Sequence, residues 1–114
     1  MIDLYGIPNC DTMKKARRWL DEHGIAYRFH DFKKEGLDPR QLEEWANQVG
    51  WETLLNRRGM MWRKLPAEVR EHIDEASAMK IMAETPTIIK RPVLVQDGRV
   101  TVGFSPERYE ELFA

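Results

Sequence analysis

The chain has a single cysteine, Cys10. No disulfide can close within it, and its cysteine content asks for no oxidising compartment. It has no apolar run near the roughly 18–20 residues that span a bilayer. Its opening lacks a signal-peptide pattern, because Met1 leads straight into a short apolar segment broken by Asp3. The expected location is the cytoplasm. Neither sign of charge is in excess: 18 Lys and Arg face 19 Asp and Glu, for a net charge of −1. Bulk charge therefore gives no support to a general nucleic-acid or membrane-surface role. His23, His30 and His72 fall on different elements with no metal-ligand spacing, and no Gly-rich phosphate loop is present. No metal and no nucleotide are expected. Without repeats, low-complexity stretches or a linker, the 114 residues read as one domain, 1–114.

What is present centres on the cysteine. An apolar strand over residues 2–6 runs into the turn Ile7-Pro8-Asn9, and a helical pattern begins at Cys10 itself. A thiol at the handover from strand to helix lies in the field of unpaired N–H groups, which favours the nucleophilic thiolate. The helix is predicted over Asp11–His23, with Met13, Ala16, Trp19 and Leu20 on one face, basic and acidic residues on the other, and Gly24 as the stop. Ile25 to Phe32 alternates as a second strand, with Ile25, Tyr27 and Phe29 on one side and an end near Lys33–Gly36. Strand, helix and strand with short links imply a parallel βαβ unit.

Residues 38–84 are helical in character. Asp38 is a good N-cap, Pro39 fits the first helical position, and Gln41 is placed to complete a capping box. Leu42, Trp45, Ala46 and Val49 form the buried stripe of that helix, which ends at Gly50. Residues 51–65 are less regular, with Leu54 and Leu55 expected to plug the core. Further helices are expected from Pro66 through Val69 and Ile73, and over Ala76–Ala83. The period then changes. Two apolar runs, 92–96 and 99–103, flank Asp97-Gly98, a strong signal for a two-residue hairpin. A last helix opens at Ser105-Pro106, with Tyr109, Leu112 and Phe113 on its apolar face. The order predicts an α/β fold: a four-stranded mixed sheet with flanking helices.

A βαβ half with a cysteine at the helix start, a helical insertion of about residues 38–84, a C-terminal β-hairpin and a last helix resemble a thioredoxin/glutaredoxin-like fold. The segments Leu4-Tyr5-x-x-Pro8-x-Cys10, Leu54-Leu55-Asn56-Arg57-Arg58-Gly59 and Thr85-Pro86-Thr87-Ile88-Ile89-Lys90-Arg91-Pro92-Val93 resemble the arsenate-reductase (ArsC)/Spx family. Asn9-Cys10-Asp11-Thr12, Tyr27-Arg28-Phe29-His30-Asp31 and Trp62-Arg63-Lys64-Leu65 are similar to its YffB branch. The resemblance covers essentially the whole chain. It implies that Cys10 is the reactive cysteine, that Arg91 precedes a cis Pro92 facing the thiol, and that Arg58 is a second anion-binding arginine, with Arg57 as the alternative register. Asn9 and Lys14 complete the candidate substrate-binding set.

Two positions depart from the family. Phe104 stands where arsenate-reducing members have a third arginine, which weakens the case for arsenate, because a polyanion in a partly dry pocket needs positive charge close by. Met13 stands where redox-sensing regulators have the second cysteine of Cys-x-x-Cys, so that disulfide cannot form.

A free thiol has a pKa of about 8.5, and a helix terminus supplies at best about 2 kcal/mol, enough to lower it by about 1.5. Arg91, or a lysine such as Lys14, has to supply the remainder. With one thiol, a covalent adduct on Cys10 must be resolved from outside, and glutathione is the expected cytosolic resolver. Its carboxylates would suit Arg58 and Arg91. The expected function is a glutathione-dependent monothiol reductase acting on disulfides, with glutathione as co-substrate. One alternative is arsenate reduction. Another is an Spx-like regulator of the RNA polymerase α subunit, for which Gly50 and Arg91 fall at the family's interface positions.

Plainer readings stand beside these. Cys10 as an inert core thiol, Arg91 as a flanking surface residue, Arg57 and Arg58 as solvated charges, and Lys14, Lys15, Arg17 and Arg18 as a solvated helix face each need nothing but folding. Trp19 and Trp45 read as core, and nothing demands more than a monomer.

Overall fold

In the computed structural model, which describes residues 1–114, the expected opening forms as β1 (Ile2–Gly6), α1 (Asp11–Glu22) and β2 (Tyr27–Asp31). The buried residues of α1 are Met13, Ala16, Trp19 and Leu20, the stripe given by its spacing. β2 is shorter than its alternation suggests. Phe32 starts a four-residue helix, α2 (Phe32–Glu35), because the Asp31 side chain turns back to accept the Lys33 N–H at 2.9 Å and caps it.

The insertion contains α3 (Pro39–Val49), α4 (Trp51–Leu54), α5 (Met60–Arg63), α6 (Ala67–Glu71) and α7 (Glu75–Glu84), then a 3-10 turn at Pro86–Ile88. Asp38 caps α3 through the Arg40 N–H, but the expected capping box does not form. Gln41 instead crosses to donate to the Tyr5 hydroxyl at 2.7 Å. A capping box does close at α7, between Asp74 and Ser77. The helix expected to reach Ile73 ends at Glu71.

The hairpin is β3 (Val93–Gln96) and β4 (Arg99–Val102), and α8 (Pro106–Leu112) follows with Ser105 accepting the Arg108 N–H at 3.2 Å. Asp97 and Gly98 both have positive φ, 50° and 79°, as a two-residue turn matched to strand twist requires.

The sheet order is β2-β1-β3-β4, with β1 and β2 parallel and the other pairs antiparallel. This is the mixed four-stranded sheet of a thioredoxin-like fold. Alternation divides the core. Leu4 and Leu94 face α1 and α8, while Tyr5, Val93, Val100 and Val102 face the insertion. On that second side Leu54 and Leu55 are fully buried, at roughly 1.5–3 kcal/mol each. They also pin the segment before Pro92: Leu55 bridges Ile89, and Lys90 donates to the Leu54 carbonyl at 2.8 Å. No helix is long and apolar enough to cross a membrane.

Candidate active site

The carboxyl end of β1 delivers the chain through Ile7-Pro8-Asn9 to Cys10, which is the N-cap residue of α1 with extended backbone (φ −135°, ψ 129°). Its carbonyl accepts the Lys14 N–H at 2.9 Å, so the helix begins immediately after the thiol. The side chain is half-buried, against the edge of the Leu4, Met13 and Tyr109 cluster. Burial is the largest single influence on the thiol and pushes its pKa up. The Met13 amide, the Arg91 guanidinium and the Thr12 amide act against it, and their combined effect holds the thiol below its ordinary value. The Cys10 side chain makes no full N-cap hydrogen bond.

Arg91 is held by the segment that Leu54 and Leu55 pin. One guanidinium nitrogen donates to the Thr87 carbonyl at 2.6 Å, and the group is half-buried. That single bond leaves the rest of its five N–H donors for other work. The Arg91–Pro92 peptide is cis, as the family resemblance implies, and Pro92 is buried with its carbonyl accepting the Gly103 N–H at 2.8 Å. Arg91 also lines a cavity of about 290 Å³, together with Ile7, Lys33, Met60, Met61 and Lys64. A larger groove of about 670 Å³, lined by α3 and α7, holds neither Cys10 nor Arg91.

The other sequence candidates are placed differently. Arg58 is exposed, and its backbone N–H bonds the Asn56 side chain at 3.1 Å. Arg57 lies against two indoles, 5.8 Å from the Trp51 ring centre and 5.6 Å from that of Trp62. Neither arginine makes a side-chain hydrogen bond or ion pair, and neither is among the leading influences on the thiol. Asn9 and Lys14 are exposed. The influences that lower the thiol's pKa come chiefly from Met13, Arg91 and Thr12, and the charge expected of Lys14 is not among them. Phe104 packs edge-on against Tyr109, with ring centres 4.7 Å apart, and lies half-buried against the smaller core. Trp19 and Trp45 are core residues, as their spacing indicates. Lys33 and Lys64 were not legible as site residues, since only the folded chain carries α2 and α5 to the 3-10 turn before Arg91.

The model of the ArsC family matches residues 5–112. This chain belongs to the ArsC family. Among solved ArsC-like structures, a YffB protein is 50% identical, with full coverage of both chains and a TM-score of 0.95. An arsenate reductase (ArsC) related protein of Brucella melitensis is 55% identical over 98% of this chain and 93% of its own, with a TM-score of 0.80. The family likeness extends to the global transcriptional regulator Spx of Streptococcus agalactiae, 28% identical over 94% of this chain and 79% of its own. ArsC relatives thus include both reductase-related proteins and a regulator, and the site itself has to decide between them.

Proposed function

We propose that the protein is a monothiol oxidoreductase that uses glutathione to reduce disulfides or mixed disulfides. The observation that carries this reading is the meeting of a half-buried, lowered-pKa Cys10 with Arg91 at the start of α1. The likeness to arsenate reductase-related proteins supports thiol redox chemistry. Glutathione follows from the chain's single cysteine, since Met13 is buried at the place of a resolving thiol and no second sulfhydryl exists.

The chemistry balances in two exchanges. The Cys10 thiolate attacks the glutathione sulfur of a mixed disulfide, an S–S bond forms to Cys10, and the other sulfur leaves as a thiolate that takes a proton from solvent. A second glutathione thiolate then attacks the adduct. Oxidised glutathione leaves, and the Cys10 thiolate is restored. The net change is that the mixed disulfide and one free glutathione become the substrate thiol and oxidised glutathione. Arg91 favours the thiolate form of Cys10 in the resting state and stabilises it again as the leaving group of the second exchange.

Incubation with oxidised glutathione is expected to give one mixed disulfide, at Cys10, in intact-mass spectra, and Cys10→Ser is expected to give none. A wild-type mass that never shifts contradicts the reading.

The likeness to Spx favours a second reading, contact with the RNA polymerase α subunit. The Arg91 that such a contact would use is turned inward onto Thr87. Capture of the polymerase α C-terminal domain on immobilised protein tests this reading directly. Arsenate reduction has less support, because Phe104, half-buried against Tyr109, stands at the position where the family resemblance calls for a third guanidinium.

A further inference from the structure

The cavity beside Arg91 gathers Lys33 from α2, Lys64 from just past the end of α5, and Arg91 itself, and its lining contains no carboxylate. None of the three cations has an Asp or Glu partner elsewhere, because the ion pairs of the structure join only Arg28, His30, Asp3 and Glu35. Three like charges brought to one concavity from three parts of the chain repel one another, and an anion placed among them relieves that repulsion. The rest of the wall is apolar. Ile7 and Met61 contribute to it, and Met60 at its rim is 69% exposed, one of only two large apolar side chains so exposed. At about 290 Å³ the cavity lies at the low end of ligand clefts, about 300–1,000 Å³, a size suited to one end of an extended small molecule. Cys10 is not in its lining, but two lining residues tie the cavity to the thiol: Arg91, which also acts on Cys10, and Ile7, three positions before it in the chain.

We infer that this cavity is an anionic subsite for the carboxylate-bearing end of a small acidic thiol or its disulfide, with Lys33 and Lys64 as its charge-selecting residues and Met60 and Met61 as the contact for the ligand's methylene stem. The inference rests on the reading of Cys10 as a disulfide-attacking thiolate and adds a selectivity to it. A disulfide carrying carboxylates is drawn in with its sulfurs toward Cys10. A neutral or cationic one of similar reactivity gains nothing from the cavity. Lys33 and Lys64 bind and orient; they do not touch the reacting sulfurs.

The test is the rate of mixed-disulfide formation at Cys10 with three probes: oxidised glutathione (anionic), hydroxyethyl disulfide (neutral) and cystamine (cationic). Each is measured for the wild type and for the double variant Lys33→Gln/Lys64→Gln. Both lysines are exposed, so their replacement leaves the fold intact, which circular dichroism verifies. The expected result is a loss of about five- to tenfold with oxidised glutathione in the double variant, no change with hydroxyethyl disulfide, and a modest gain with cystamine. The wild-type preference for oxidised glutathione is expected to shrink at high salt, where charges are screened within a few ångströms. Equal losses with all three probes, or none with oxidised glutathione, overturn the subsite. Failure of the underlying reading is distinct: Cys10 would then react with none of the three probes in either protein.

Discussion

Met13 closes over Gly6: a Cβ at position 6 would lie 2.4 Å from the Met13 Sδ and 2.8 Å from its Cε. Both residues are buried, one at the end of β1 and the other in the first turn of α1. The contact sets how near the helix that carries Cys10 approaches the sheet. It also explains position 13 physically, as a wedge of the smaller core.

Gly6→Ala is therefore expected to destabilise. Met13 is completely buried and its flexible end has little room to retreat, so the cost is about 1–3 kcal/mol. In a Met13→Ala background, where the wedge is gone, the added cost of Gly6→Ala should be smaller, a coupling that urea unfolding of the four proteins measures. Strict additivity would show that the two side chains do not compete for the same space.

His30 joins β2 to its surroundings through both ring nitrogens, 2.8 Å from Asp3 and 2.9 Å from Glu35, and it stacks on Tyr5 at 4.5 Å. Burial opposes its charged form, but the hydrogen bonds its ring nitrogens make to Glu35 and Asp3 together outweigh it and raise the pKa above the ordinary 6.5. A raised imidazole pKa stabilises the fold fully below about 6.5, and the contribution is lost as the pH climbs through the folded value. Glu35 is held below 4.5 by His30, so its side of the pair is lost as acid protonates it. The stability gap between wild type and His30→Gln should be widest between about pH 5 and 6.5 and should narrow toward pH 9. A gap that widens with rising pH contradicts the pairing.

Tyr109 buries its hydroxyl completely without a protein hydrogen-bond partner, against Trp19, Phe104 and Phe113, and burial pushes its pKa far above the phenol range. Tyr109→Phe removes an unsatisfied polar group and keeps the ring. Its thermal midpoint should hold or rise, by up to about 1 kcal/mol in stability, whereas Tyr109→Ala should cost about 3–5 kcal/mol. A Phe variant much less stable than wild type would mean that the hydroxyl has a role in the fold.

Elements whose signals are local were legible in the sequence. The Met13–Leu20 stripe, the Asp97-Gly98 turn, the Ser105 cap and the position of Cys10 at a helix start all depend on neighbours within a turn or two, and the structure has them where spacing puts them. The cis bond before Pro92 came from family resemblance, since no local pattern marks it. Contacts between distant segments were not legible. Gln41 suits a capping box, but a phenol 36 positions away competes for its amide and wins. The Phe32–Glu35 helix reads as the tail of a strand until the Asp31 carboxylate is seen to cap it. Arg57 and Arg58 cannot be told apart without knowing that Trp51 and Trp62 close around the first. Lys33 and Lys64 look like ordinary surface charges until the fold brings them to one cavity.

The central claim is that Arg91 helps to hold Cys10 as a thiolate, and the pH dependence of Cys10 alkylation by iodoacetamide tests it most directly. The wild-type rate should rise with an inflection below that of a free cysteine thiol measured in the same buffer, and Arg91→Ala should move that inflection upward. Superimposable profiles for the two proteins, or a wild-type inflection at or above the free-thiol value, would contradict the account.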